Sequence, residues 1–162
     1  MFNLNKGRLT SKSNAAFYID GPNIIRKEFN LDLDEVRKLA QRYGRLMEAK
    51  VFLNQHASDK LIEAIANQGF EPVVVLGGES DADVDVALAV AVVEAAHNKD
   101  IDTIIIGSRD ADYLPALQVA KKYNKRVVVM GIEPGFSKAL QHVADYVEFL
   151  NGRNSPPRRQ HS

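Results

Sequence analysis

Apolar strand-like runs alternating with amphipathic helical stretches predict an α/β fold, a three-layer α/β/α sandwich around a mostly parallel sheet of five or six strands. Three observations carry that expectation. Residues 101–107 (IDTIIIG) and 126–130 (RVVVM) are continuous apolar runs, the pattern of strands covered on both faces. Between such runs, apolar residues recur at helical spacing, as parallel strands with crossover helices require. The chain has 162 residues, 45% hydrophobic and 26% charged, which suits one core of ordinary composition.

The elements follow in order. Residues 15–20 (AAFYID) form a short apolar run that ends in an acid. Residues 32–44 read as a helix, with Asp32 and Glu35 spaced as a capping box, Val36, Leu39, Ala40 and Tyr43 on one face, and Gly44 as a stop. A strand over 46–54 precedes a helix over 58–68 that carries Leu61, Ile62, Ile65 and Ala66 on one side. The β-branched run 70–76 closes at Gly77-Gly78 and leads into an alanine- and valine-rich helix over 81–98. After the 101–107 strand come a helix over 111–123, the 126–130 strand, a short helix over 136–143 and a last strand over 146–150. Residues 1–14 read as a flexible basic arm and 151–162, with Pro156-Pro157, as a disordered basic tail, leaving 15–150 as the domain.

Charge excludes some functions. Bases and acids number 21 each, but the two termini hold six bases and no acid. The domain itself therefore has 15 bases against 21 acids, the opposite of a protein that coats nucleic acid through a basic body. With no cysteine, disulfides, thiolate zinc sites, iron–sulfur clusters and cysteine nucleophiles are ruled out. No stretch approaches the roughly 18 apolar residues of a membrane span, and the first 14 lack a signal-peptide core. The expectation is a cytoplasmic protein without a membrane partner.

The acids are placed more informatively than they are numerous. Ligands of open parallel sheets bind beyond the carboxyl ends of the strands. Asp20 closes the first strand, Asp81, Asp83 and Asp85 follow the third, and Asp110 and Asp112 follow the fourth. Each has a plainer reading alone. Asp81 or Asp83 could cap the following helix, Asp85 could answer the helix dipole, Asp112 could cap a helix from Tyr113, and Asp20 could be a turn-former before Gly-Pro. Together, acids from three strand ends would converge and repel. A hard divalent cation, Mg²⁺ or Mn²⁺, relieves such a cluster. Asn23, in the turn Asp20-Gly21-Pro22-Asn23, and Ser108, beside Asp110, would stand near these acids.

The segments FYIDGPNI, ESDADVDVALAVA and IIIGSRDADYLPAL, in that order, resemble the NYN domain family of PIN-like nucleases. The likeness covers nearly all of 15–150, and Ser137 and Asp145 resemble a recurring Ser…Ala-Asp feature. It implies a PIN-like fold and Mg²⁺- or Mn²⁺-dependent RNA cleavage. Carried over by position, Asp20, Asp85, Asp110 and Asp112 match the catalytic, metal-binding acids, while Asn23 and Ser108 match their polar companions. Ala82-Asp83 stands where the family often has Lys-Gly, so Asp83 is an auxiliary candidate, as is Ser137. Ala91 replaces a further acid, and Arg109 stands where Gly is common, a position from which it would contact a substrate phosphate.

The expected function is thus a metal-dependent ribonuclease acting on single-stranded or loop RNA, since side chains cannot read the deep groove of an RNA duplex. Two other readings stay open: a catalytically degenerate RNA- or protein-binding module, for which Ala91 is the marker, and a small-molecule phosphoesterase. No Gly-x-Gly-x-x-Gly, P-loop or nucleophile elbow is present. His56, His97 and His142 lack ligand spacing.

Overall fold

The computed structural model describes residues 13–77, 82–150 and 158–159. The strands are β1 (Asn14–Asp20), β2 (Arg45–Asn54), β3 (Glu71–Val75), β4 (Thr103–Gly107), β5 (Arg126–Gly131), β6 (Tyr146–Phe149) and β7 (Arg158–Arg159). The helices are α1 (Gly21–Ile24), α2 (Leu33–Ala40), α3 (Asp59–Asn67), α4 (Ala82–Ala96), α5 (Leu114–Lys122) and α6 (Lys138–Val143). One sheet runs β3-β2-β1-β4-β5-β6-β7. The first six strands in that order are parallel, and β7 adds two residues antiparallel to β6. Of the expected arm at 1–14, residues 1–12 lie outside the described residues and Asn14 already opens β1, where it pairs with Arg45; of the expected tail, β7 alone is described.

Alternation along each strand feeds two separate cores. Ala16, Tyr18, Ile104, Ile106, Val127 and Val129 point to one face, where Val84, Leu88 and Val92 of α4, Ala116 and Leu117 of α5 and Leu140 of α6 cover them. Phe17, Ile19, Val51, Leu53, Ile105, Val128 and Met130 point to the other, under Ile24 of α1, Val36 and Ala40 of α2 and Ile65 of α3. The middle strands β1 and β4 are buried throughout their apolar lengths. That is why they read as unbroken apolar runs.

Local signals explain most helix ends. Asp32 caps α2, accepting from the backbone N–H groups of Asp34 and Glu35, and Ser58 caps α3 through Leu61. Two helices are shorter than their periodicity suggests. Residues Gln41–Tyr43 close α2 as a 3-10 turn, and Ala111–Tyr113 form another ahead of α5, whose first turn holds Pro115. Pro has no N–H to give and is tolerated where a helix begins, so the α-helix starts there.

The order places a switch point between β1 and β4. From β1 the chain winds outward through β2 and β3, then crosses back over the sheet through α4 to enter β4 on the other side of β1. A crevice opens at the carboxyl ends of two strands whose connections leave in opposite directions. Gly21 lets the chain turn immediately after β1: a Cβ there would lie 2.6 Å from the carbonyl oxygen of Phe52. Among the described residues, no helix is long and apolar enough to cross a membrane.

Candidate metal centre

Asp20 has the same parity as Ala16 and Tyr18, so its side chain faces the layer occupied by α4. Asp85 lies in the first turn of that helix, where the partial positive charge of the N-terminus favours a carboxylate. Asp110 stands three residues beyond the end of β4 and caps the 3-10 turn, its Oδ1 accepting from the backbone N–H of Asp112 at 2.9 Å. These three carboxylates each offer an oxygen within 4.8 Å of the others.

Asp112 does not join them. It is exposed on the same turn, and neighbours two apart on a helical turn do not face one another. Asp83 is half-buried in the first turn of α4 and is likewise outside the set, while Asp81 lies outside the described residues.

Asp20 is only 2% exposed and is held from several sides. Its Oδ1 accepts from the backbone N–H of Asn23 at 3.3 Å, and its Oδ2 accepts from the hydroxyls of Tyr113 at 2.9 Å and Ser108 at 3.4 Å. Burial pushes its carboxyl up to about 7, opposed by the hydrogen bond from Tyr113, reinforced by the charge of Asp85, and modified less by Asn23 and Asp110. Ser108 is fully buried and its Oγ also accepts from the N–H of Asp110 at 3.0 Å. One hydroxyl therefore ties the acid at the end of β1 to the acid after β4.

Asn23 and Arg109 brace the rim. Asn23 Oδ1 accepts from the Arg109 backbone N–H at 2.8 Å and from Arg109 Nε at 3.3 Å. The guanidinium continues to the carbonyls of Asn23 (3.1 Å) and Pro134 (2.7 Å) and lies 5.0 Å over the Phe29 ring. Arg109 thus spends donors on joining the α1 turn to the 133–135 loop, rather than presenting its whole fork outward to phosphate. Ser137 caps α6 through the N–H of Leu140, and its own N–H donates to the carbonyl of Arg109 at 3.0 Å. It supports the brace.

Tyr113 is the residue that sequence reasoning overlooked. Its ring is fully buried, and its hydroxyl lies 2.9 Å from both Asp20 Oδ2 and Asp85 Oδ1. Burial, then the charges of Asp20 and Asp85, push the phenol far above its ordinary range. A signal was present: a buried tyrosine must find a partner for its hydroxyl, and this one directly follows Asp110-Ala111-Asp112.

The donor set suits a hard divalent cation. It is all oxygen, it comes from three elements, and its buried member is crowded by two further acids. A cavity of about 700 Å³ at the amino-terminal ends of the strands is lined by Asp102, Thr103, Lys121, Lys125 and Asp145 among others. It contains none of these acids, and its two lysines are engaged, Lys121 by Asp145 and Lys125 by the carbonyls of Asn98 and Ile101.

Fold and site together define an α/β/α domain with a carboxylate centre at the switch point of its sheet. The chain belongs to the NYN domain family, whose model matches residues 14–151. That family has a PIN-like nuclease fold, is generally nuclease-like, and its nucleases usually use divalent metals. The chain is 54% identical over 132 residues to the uncharacterized protein MJ0482 of Methanocaldococcus jannaschii, covering 82% of this chain and 53% of that protein. It therefore spans about half the length of the curated relative it matches. The crystal structure of a protein of unknown function from Vibrio parahaemolyticus, VPA0982, superposes with a TM-score of 0.75. At 23% identity over 86% of this chain and 93% of that one, the likeness is one of fold.

Proposed function

We propose that this domain is a divalent-metal-dependent ribonuclease that hydrolyses phosphodiester bonds in single-stranded or loop RNA. The observation that carries the reading is the meeting of Asp20, Asp85 and Asp110 within 4.8 Å at the crevice of the sheet. These three would hold Mg²⁺ or Mn²⁺, which when bound supplies Lewis acidity toward water and the scissile phosphate. The chain's own residues fix the geometry. Ser108 and Asn23 hold Asp20 at the end of β1. The Arg109 brace keeps the α1 turn against the loop after β5, so the rim of the crevice keeps its shape. Asp112, exposed beside Asp110, is an auxiliary acid at the rim in this reading.

The test is cleavage of end-labelled single-stranded RNA by the wild-type chain and by Asp110→Asn, with Mn²⁺, Mg²⁺ or EDTA. Metal-dependent products that vanish in the variant support the reading. Equal cutting by both proteins indicates a contaminating ribonuclease. No cutting together with no calorimetric Mn²⁺ binding overturns it in favour of a binding module, the alternative to which Ala91 points.

A further inference from the structure

We infer that Tyr113 is the positioning residue of this centre, its hydroxyl setting the spacing of Asp20 and Asp85. The inference rests on the metal-dependent reading above, and it concerns a group that the acidic pattern does not contain. Asp20 belongs to β1 and Asp85 to α4, so no shared turn holds the two carboxylates at a fixed distance. Like charges at this range repel, and without a spacer the half-buried Asp85 side chain would swing away from Asp20, which Asn23 and Ser108 hold. The Tyr113 hydroxyl stands between them, 2.9 Å from an oxygen of each.

Three features separate this hydroxyl from an ordinary buried phenol. The ring is 0% exposed among the residues of the α4 and α5 layer, so packing fixes the oxygen relative to the backbone. The residue closes the 3-10 turn that Asp110 caps, so one short segment supplies the third acid and the spacer for the other two. Finally, a buried phenol needs one acceptor, and the two other fully or nearly buried tyrosines bonded to acids have one each: Tyr18 with Glu48 and Tyr43 with Glu148. Tyr113 has two, both from the candidate metal set. With one hydrogen to donate, it serves either carboxylate in turn and keeps both within its reach.

Hydrogen bonds behind ligating groups commonly set metal affinity by about 10–100-fold. Tyr113→Phe keeps the ring and removes only the spacer. Calorimetric titration of the full chain with Mn²⁺ should show affinity weakened by about 10–100-fold relative to wild type. Tyr43→Phe, which removes a comparable buried hydroxyl away from the centre, should leave Mn²⁺ affinity unchanged. RNA cleavage by Tyr113→Phe should recover as Mn²⁺ is raised, with substrate KM unaltered. Equal Mn²⁺ affinity in wild type and Tyr113→Phe overturns the inference while leaving the metal centre intact. So does an equal loss in Tyr43→Phe, or a loss of cleavage that excess metal does not restore. A wild-type chain that binds no Mn²⁺ overturns the metal reading itself, a distinguishable outcome.

Discussion

Replacing Asp20 by Asn should make the metal-free protein more stable at alkaline pH, although it removes a buried hydrogen-bonding acid. The folded environment raises the carboxyl from its ordinary 3.8 to about 7. An acid shifted upward contributes stability fully below the lower value, and that contribution is lost as pH rises through the higher one. A shift of this size, at about 1.4 kcal/mol per unit, makes the ionised Asp20 cost about 4 kcal/mol at pH 8. Asn carries no charge. Its carbonyl can accept from the Asn23 N–H as Asp20 does, and its amide can donate to the Tyr113 oxygen, whose own hydrogen then serves Asp85. Allowing for imperfect pairing of the amide, the net gain is about 2–4 kcal/mol. For a domain of this size that corresponds to roughly 5–15 °C in melting temperature. The assay is thermal unfolding followed by circular dichroism in EDTA at pH 8 and pH 4. The variant should melt higher at pH 8, the gap should close at pH 4, and Mn²⁺ at pH 8 should raise the melting point of wild type alone. A variant that melts at or below wild type at pH 8, or a gap indifferent to pH, would refute the electrostatic reasoning.

Two further outcomes follow from the same geometry. Asp112→Asn should lower metal-dependent RNA cleavage far less than Asp110→Asn, because Asp112 stands outside the carboxylate set; equal losses in initial-rate assays would count against that division. Tyr43→Phe strips the hydroxyl that donates to Glu148, which is only 4% exposed, and should destabilise the fold by about 1–3 kcal/mol in urea titration.

The fold was largely legible because burial on both sides leaves a simple trace. The IDTIIIG and RVVVM runs contain few polar residues because helices cover both faces of β4 and β5, and the helical spacing between runs forces parallel connections. Asp20, Asp85 and Asp110 were legible through convergence: each alone reads as a cap, turn or first-turn acid, but together they follow the carboxyl ends of strands in one parallel sheet. What escaped the pattern was set by the turn after β4. Nothing in Asp110-Ala111-Asp112 says which acid folds inward, and the 3-10 geometry decided it. The inward hydroxyl of Tyr113 escaped because a tyrosine opening an apolar helix reads first as core. The fork of Arg109 is held by carbonyls brought near by the α1 turn and the 133–135 loop, long-range contacts that spacing cannot foretell.

The placement of β1 in the middle of the sheet has a consequence for synthesis. Both neighbours of its strand must form around Asp20, and Asp110 is synthesised about 90 residues after it. At ordinary elongation rates that is a delay of roughly 5–20 s. Through this interval the nascent chain holds first one acid of the three and, once Asp85 is made, two, with no crevice to gather them. A carboxylate centre assembled from positions 20, 85 and 110 is thus incomplete in every fragment that stops short of β4.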